Sequence, residues 1–128
     1  KGNIYFVNYQ SDPEYINIRK VVYHKNMNLV QQFMTAPVIK INNKERTMAV
    51  LRGTDNDGNF FISSKASPSE PYLFEKFNSQ GDKLGEIHLK WQCFHMVNNP
   101  FKVSDKGDLY VLSSDQNGLW IEKYPASL

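Results

Sequence analysis

The chain has little cysteine. Cys93 is the single cysteine among 128 residues, so no disulfide can form within the chain. It stands between Gln92 and Phe94 in a largely apolar segment, where a small buried hydrophobic residue is the favoured interpretation. A reactive thiol needs a partner that lowers its pKa. His95 lies two residues further along, and catalysis through this pair is a remote alternative.

The chain also lacks an excess of charge and long apolar runs. Its 15 basic and 13 acidic side chains leave a net charge of +2, and no basic run is longer than the pair Arg19 and Lys20. Binding to nucleic-acid phosphates requires a clustered basic face, so nucleic acid is not an expected partner. No segment approaches the ~20 apolar residues of a membrane span, and the first residues do not follow the pattern of a signal peptide.

Common enzyme motifs are missing too. The sequence has no P-loop, no G-x-S-x-G, no H-E-x-x-H and no C-x-x-C. A zinc site needs at least three neighbouring ligands, whereas the histidines are spread over a turn, a strand and a mixed segment. They are His24, His88 and His95. Asp55, Asp57 and Asn59 alternate as in a calcium loop but lack the spacing of an EF-hand, which favours an ordinary hairpin turn. We predict no catalytic residue, metal or cofactor.

What the sequence does have is aromatic residues in strand-like patterns. Eight phenylalanines, seven tyrosines and two tryptophans favour β-structure. No segment combines a helix N-cap with sustained i, i+3, i+4 spacing, so almost no helix is expected. Ten strands are predicted, at residues 4–7, 15–23, 29–34, 47–52, 60–64, 72–77, 83–90, 101–103, 109–113 and 119–124. Short additional strands are possible readings of residues 38–41 and 94–97.

A turn-and-strand unit recurs about every fifty residues. Each copy has a polar turn with a glycine, followed by an aromatic and aliphatic strand. The copies lie at residues 1–7, 54–64 and 104–114, around Gly2, Gly58 and Gly107. When these glycines are aligned, segments 19–21, 75–77 and 122–124 also coincide, each with a lysine before an apolar residue. A period of this size is typical of propellers and other repeat arrays.

The pattern resembles the blades of NHL-type and related six-bladed β-propellers. Their repeat runs from a proline through an apolar strand to Asp-x-x-Gly-Asn-x-Tyr-Val, and on to a Lys-Phe strand before a glycine turn. Residues 100–111, Pro-Phe-Lys-Val-Ser-Asp-Lys-Gly-Asp-Leu-Tyr-Val, are the best copy of it in this chain. The resemblance covers nearly the whole chain and implies an all-β fold of antiparallel four-stranded meanders.

The strand count implies an incomplete propeller. If a blade has strands A to D, the chain supplies a partial blade at 1–46, a full blade at 47–90 and a partial blade at 91–128. A propeller ring needs at least four blades, so the remaining blades would belong to a longer protein or to other subunits. A single closed antiparallel β-barrel of about ten strands is the alternative fold.

The resemblance also implies where a ligand binds. In propellers the loops from strand D to A and from B to C open on one face, which usually carries the binding residues. The D-to-A loops are predicted at residues 35–46 and 91–99, and the B-to-C loops at 10–15, 65–72 and 114–118. The candidate ligand-binding residues on them are Arg46, Trp91, His95, Asn98, Asn99, Glu14, Tyr72 and Asp115. Tryptophan and tyrosine anchors beside Asn and Arg suit a polar or protein ligand, while core packing is the alternative for Trp91.

Three functions follow as expectations. The first is a non-enzymatic binding or scaffold module, extracytoplasmic, whose partner is a protein, a polar ligand or the remaining blades. The second is a metal-dependent lactonase or esterase, because similar propellers include such enzymes. Asn98 or Asn99 matches one of the metal-ligand types in those enzymes, but no full ligand set can be named. The third, tied to the barrel, is a carrier of a small apolar ligand.

Overall fold

A computed structural model describes residues 5–8, 14–23, 33–42, 47–67, 69–91 and 99–126. These residues contain strands and turns but no helix, so the all-β prediction is confirmed. No helix of this part of the chain is long and apolar enough to cross a membrane. The strands are β1 (Tyr5–Asn8), β2 (Tyr15–Tyr23), β3 (Phe33–Asn42), β4 (Thr47–Thr54), β5 (Phe60–Lys65), β6 (Tyr72–Phe77), β7 (Lys83–Leu89), β8 (Phe101–Val103), β9 (Leu109–Asp115) and β10 (Gly118–Tyr124).

The strands form three antiparallel sheets, each a meander of consecutive strands. The first sheet has the order β1-β2-β3, the second β4-β5-β6-β7, and the third β8-β9-β10. This division into three, four and three strands agrees with the predicted strand count. Because the described strands pair into three separate sheets, they do not close into the single barrel that was the alternative fold.

The chain divides into two compact units, Lys1–Lys44 and Glu45–Leu128. The first unit contains the first sheet, in which Ile16 and Ile18 on β2 and Ile41 on β3 are buried. On the same strands, the Lys40 Nζ atom lies 4.1 Å from the centre of the Tyr15 ring, a cation–π contact. Alternating burial along β2 is what a strand with one covered face shows.

One predicted connection contains more strand than expected. Residues 35–46 were predicted as a connection interrupted by a short strand at 38–41, but β3 runs from Phe33 through Asn42 and pairs with the whole of β2; residues 43–46 lie outside the described residues. Val38, Ile39 and Ile41 are β-branched and favour a strand. Pro37, which argued for a loop, is tolerated because β3 is an edge strand and the ladder shifts register beside it. Of the predicted strand 29–34, residues 29–32 lie outside the described residues, as do residues 92–98.

The internal repeat is visible in the pairing registers. In every sheet, the aromatic residue three positions after the aligned glycine lies opposite a lysine on the next strand. The pairs are Tyr5 with Lys20, Phe61 with Lys76, and Tyr110 with Lys123. The second and third pairs also share a contact, since the lysine Nζ lies 5.5 Å and 5.7 Å, respectively, from the ring centre. The sequence repeat therefore corresponds to a repeated strand register.

The predicted glycine turns also share one geometry. In the turn before β5, the Gly58 amide donates to the Asp55 carbonyl and the Asp55 amide to the Asn59 carbonyl. The turns around Gly81 and Gly107 repeat this pair of hydrogen bonds. The three glycines have φ values of 79°, 91° and 86°, a region that strains any residue with a Cβ atom. Glycine is therefore required at these turns by the backbone itself.

Within the second unit, the second and third sheets stack face to face. Phe74 and Leu89 of the second sheet form one buried cluster with Phe101, Leu109 and Val111 of the third. Each such side chain contributes about 1.5–3 kcal/mol by leaving water. The strands β4 and β8 meet at one edge of the stack.

Two close approaches hold the sheets in place. A Cβ atom built on Gly53 of β4 would lie 3.2 Å from the Val103 Cβ atom, so the two backbones are close together. At one end of the stack, the Asn56 amide donates a hydrogen bond of 2.8 Å to the Asp105 carbonyl, which joins the two equivalent turns.

Candidate functional site

An aromatic cluster marks the end of the stack where the β5–β6 loop and the chain after β7 lie. The Phe101 ring is 4.8 Å from Phe74, 5.1 Å from Tyr72 and 5.6 Å from Trp91, measured between ring centroids. Tyr72 and Trp91 are themselves 5.9 Å apart in an edge-on arrangement. Such tilted pairs stabilise each other beyond simple burial. Two of the predicted site residues are therefore brought together.

A small cleft opens beside this pair. Its volume is about 160 Å³, which is below the range of ordinary small-molecule sites and suits a single side chain or a small group. Apolar walls come from Pro71 and Leu89, and the polar groups come from the loop and the strand ends. The lining residues are Lys65, Ser69, Glu70, Pro71, Tyr72, Leu89, Lys90 and Trp91.

The cleft carries more positive than negative charge. Lys65 and Lys90 lie on its rim with one carboxylate, that of Glu70. The Lys65 Nζ atom stands 4.6 Å from the centre of the Tyr72 ring, so this cation is held against the aromatic wall. Lys90 is exposed to solvent. An anionic group that enters the cleft would meet two ammonium groups next to an aromatic surface.

Trp91 is fixed rather than free to move. Its indole Nε1 donates a hydrogen bond of 3.0 Å to the Leu112 carbonyl on β9, and the ring packs against the buried cluster. The side of the Trp91 ring that faces the buried cluster therefore packs as a core aromatic does. Its outer side, with Tyr72, still forms a wall of the cleft. A rigid aromatic wall loses little conformational entropy when a ligand binds.

Asn99 has a role that the sequence did not suggest. It is the one described non-glycine residue with a positive φ, 55°, and its side-chain oxygen accepts a hydrogen bond of 3.2 Å from Arg52 Nη1. Arg52 also donates through Nε to Ser63 Oγ at 2.6 Å and lies 4.9 Å from the centre of the Phe101 ring. Asn99 therefore anchors the chain that enters β8 onto β4.

Asp115 and Glu14, two further predicted site residues, do not line the cleft. Asp115 accepts hydrogen bonds from the Asn117 and Gly118 amides at 2.7 Å and 3.2 Å, so it stabilises the β9–β10 turn. Glu14 is exposed in the turn before β2 and belongs to the other unit. Arg46, His95 and Asn98 lie outside the described residues.

The buried carboxylate of Asp55 is used by its own turn. Its Oδ1 accepts from the Asp57 and Asn59 amides, and its Oδ2 accepts from Asn59 Nδ2 and lies 3.5 Å from Lys76 Nζ. Burial alone would raise the pKa of Asp55, but the Asn59 hydrogen bonds and the Lys76 charge together hold that pKa below its usual value. The hairpin interpretation of this segment agrees with these contacts.

No group of three or more metal-ligating side chains occurs among the described residues. His88 is 66% exposed in its side chain and lies 3.3 Å from Glu86, in agreement with its interpretation as a solvated histidine.

The sequence analysis missed Lys65, Lys90 and Arg52. Lys65 ends β5 and Lys90 directly follows β7, at the same end of the second sheet, and this shared position was the available signal. Arg52 gave no such signal, because its hydrogen bonds join β4 to Ser63 on β5 and to Asn99 before β8, 11 and 47 residues away in sequence.

Comparisons of the chain with protein-family models, with curated proteins and with solved structures found no match. The functional argument therefore depends on the residues and contacts described above.

Proposed function

We propose that this chain is a non-enzymatic binding module built from propeller-type repeats. Two features support the repeat part of the proposal: the shared strand register of the sheets and the face-to-face stacking of the second and third sheets. The resemblance to NHL-type six-bladed propellers, an extracytoplasmic location and further blades beyond these sheets belong to the same proposal.

The observation that carries the binding function is the cleft at the loop end of the stack. Tyr72 and Trp91 reach it from different segments and form one aromatic wall, and Lys65 and Lys90 flank that wall. Rigid aromatic residues beside cations are the usual anchors of protein recognition. The small volume favours a single inserted side chain over a bound cofactor.

The ligand that fits this chemistry is an acidic segment of a protein. An aliphatic or aromatic side chain would insert against Tyr72 and Pro71, and a neighbouring carboxylate would approach Lys65 and Lys90. Charge pairs at such a rim set the association rate and the salt dependence more than the affinity. Binding should therefore weaken as the salt concentration rises.

Selection of peptides from a random display library on the immobilised chain tests the proposal. We expect the enriched peptides to place Asp or Glu next to an apolar residue. Amide chemical-shift changes with a selected peptide should centre on the β5–β6 loop and on Trp91. The double variant Lys65→Glu with Lys90→Glu should lower the affinity by about tenfold or more.

The matched control is Lys106→Glu. It reverses the charge of an exposed lysine in the turn around Gly107, away from the cleft. Equal loss of binding in this control and in the double variant would show that net charge alone is responsible. Enrichment of no acidic motif would also contradict the proposed function.

A further inference from the structure

The β9–β10 hairpin carries the one Asn-Gly step of the sequence, Asn117-Gly118. Strand β9 ends at Asp115 and β10 begins at Gly118, so the turn between them consists of Gln116 and Asn117. Asn117 and Gly118 are both exposed to solvent. A side-chain amide next to a glycine nitrogen is a chemically reactive pair, because glycine has no Cβ atom that would shield its nitrogen.

The Asn117 side chain is not held in place. It makes no hydrogen bond with any residue that the structure describes, whereas its main-chain amide donates to Asp115 Oδ1 at 2.7 Å. The space around Gly118 is equally open, since a Cβ atom built there would meet no atom within 4 Å beyond its chain neighbours. The Gly118 amide donates to the same Asp115 oxygen at 3.2 Å, the long end of the usual range. Hydrogen bonds at the exposed end of a hairpin are among the first to open in a folded chain.

Two other asparagines show what sets this step apart. Asn78 is followed by a small residue, Ser79, but its side chain is tied at both ends by three hydrogen bonds within its own turn. Asn56 is exposed, but Asp57 follows it and brings a Cβ atom next to the main-chain nitrogen. The step at Asn117 combines a loose side chain with an unshielded nitrogen and full access for water.

We propose that Asn117 is a site of spontaneous deamidation, with water as the co-reactant. The Gly118 nitrogen attacks Asn117 Cγ, so that the N–Cγ bond forms, the Cγ–Nδ2 bond breaks, and the amide group leaves as ammonia with the proton that the nitrogen loses. The two reacting atoms are neighbours in the chain, which makes the attack intramolecular. Water then opens the cyclic imide at either of its carbonyl carbons. The sum converts an amide into a carboxyl group and releases ammonia, without an oxidant or a reductant.

The two products differ in their effect on the hairpin. Opening at the side-chain carbonyl gives aspartate, which places a second carboxylate beside Asp115. Opening at the main-chain carbonyl gives isoaspartate, in which the main chain runs through the former side chain and the turn is longer by one atom. Because loop length sets the register of a hairpin, the longer turn should not keep Asp115 opposite Gly118. β10 should then separate from β9 at this end, while Tyr124 at the other end stays packed against the buried cluster.

Incubation of the full chain in mildly alkaline buffer, followed by peptide mapping, tests this inference, which does not depend on the cleft or on its ligand. We expect the fragment that contains residue 117 to convert into two products of equal mass, aspartate and isoaspartate, with release of ammonia. Deamidation at Asn117 should be at least about tenfold faster than at Asn56 or Asn78. In the isoaspartate product, amide hydrogen exchange should become faster over residues 118–121 of β10.

The matched control is Asn117→Gln, which keeps the amide and the turn but adds a methylene that disfavours ring closure, so this position should stay unmodified. A second control is the chain unfolded in guanidinium chloride. There Asn78 loses its hydrogen bonds and should react faster than in the folded chain. If Asn117 keeps its amide in the folded chain and loses it only in the unfolded chain, the folded turn blocks the reaction and the inference is overturned. Equal rates at Asn56 and Asn117 in the folded chain overturn it as well.

Discussion

The second and third sheets share a strand register but differ in what covers them. Phe61 and Lys76 of one sheet pair as Tyr110 and Lys123 do in the other. The Lys76 side chain is nevertheless only 12% exposed, whereas the equivalent Lys123 side chain is 52% exposed. Local sequence therefore determines the strands and their register, while a neighbouring sheet determines burial. Equivalent substitutions in the two sheets should thus have unequal effects.

The largest difference is expected between the buried cluster and the exposed residue Ile121 on β10. Phe101→Ala removes the ring that touches Phe74, Tyr72 and Trp91, and should lower the free energy of unfolding by about 4 kcal/mol. Ile121→Ala, at a 68% exposed position, should change it by less than about 0.5 kcal/mol. Urea unfolding followed by circular dichroism measures both. Similar losses in the two variants would mean that the two faces of the third sheet are not covered differently.

A smaller difference is expected between two equivalent turn residues. Asp55→Ala leaves the Asn59 amide and the partly buried Lys76 without this partner, and should cost about 3 kcal/mol. Ser104→Ala removes one partly buried hydrogen bond from the Asp108 amide and should cost about 1 kcal/mol. The same urea titrations compare them. A larger effect at Ser104 would contradict the assignment of Asp55 as the main stabilising residue of these turns.

The two turn glycines should differ by less. Gly58→Ala meets no atom within 4 Å, so only its positive φ of 79° is penalised, by about 1 kcal/mol. Gly107→Ala adds a clash, because the new Cβ atom would lie 3.1 Å from Asp55 Oδ2 beside Phe61, and we expect a loss of about 2 kcal/mol. Thermal unfolding should show the lower midpoint for Gly107→Ala. The reverse order would mean that the two turns do not meet as described.

The smallest effect is a difference in acid sensitivity. The pKa of Asp55 is held below its usual value despite burial, so its contribution to stability is complete above about pH 4 and is lost as the pH falls through the folded-state pKa. The pKa of Asp108 is also lowered, mainly by its hydrogen bond to Lys123, but the Lys123 side chain is 52% exposed, against 12% for Lys76 beside Asp55. Acidification from pH 5 to pH 2, across these values, should therefore destabilise the parent chain.

Melting curves of Asp55→Asn and Asp108→Asn separate the two carboxylates. Asp55→Asn should remove more of the acid-induced loss than Asp108→Asn, because solvent screens the exposed pair. An equal or larger effect of Asp108→Asn would contradict the difference in environment between the two repeats.

Much of the fold could be predicted because its signals are local. Glycine turns and alternating strands depend on neighbouring residues, so the turns around Gly58, Gly81 and Gly107 and most strand positions were correct. The strand at residues 33–42 was predicted too short, with a break at 35–37, and this has a physical cause. Pro37 usually interrupts a strand, but at the edge of a sheet beside a register shift it does not, and only the pairing with β2 reveals this.

The candidate site was less predictable because it depends on contacts distant in sequence. Tyr72 and Trp91 were named as residues at one end, and they lie 5.9 Å apart there, although Tyr72 begins β6; their role in binding stays a prediction. Asn99 was named for ligand binding but is held by Arg52 across 47 residues. Asp115 was named for the same reason but is used by its own turn. Loop position alone does not distinguish a side chain that binds from one that stabilises the loop.

The stacking of the second sheet on the third is the central claim, and a disulfide tests it most directly. Gly53→Cys and Val103→Cys, introduced with Cys93→Ser, place two thiols where the Cβ atoms would lie 3.2 Å apart, close to the separation found in disulfides. Oxidation should join them nearly completely, seen as the loss of two hydrogens by intact mass. Pairing Gly53→Cys with Lys102→Cys, on the opposite face of β8, should give no bond. Failure of the first pair to cross-link, or equal cross-linking of both pairs, would contradict the stacked arrangement.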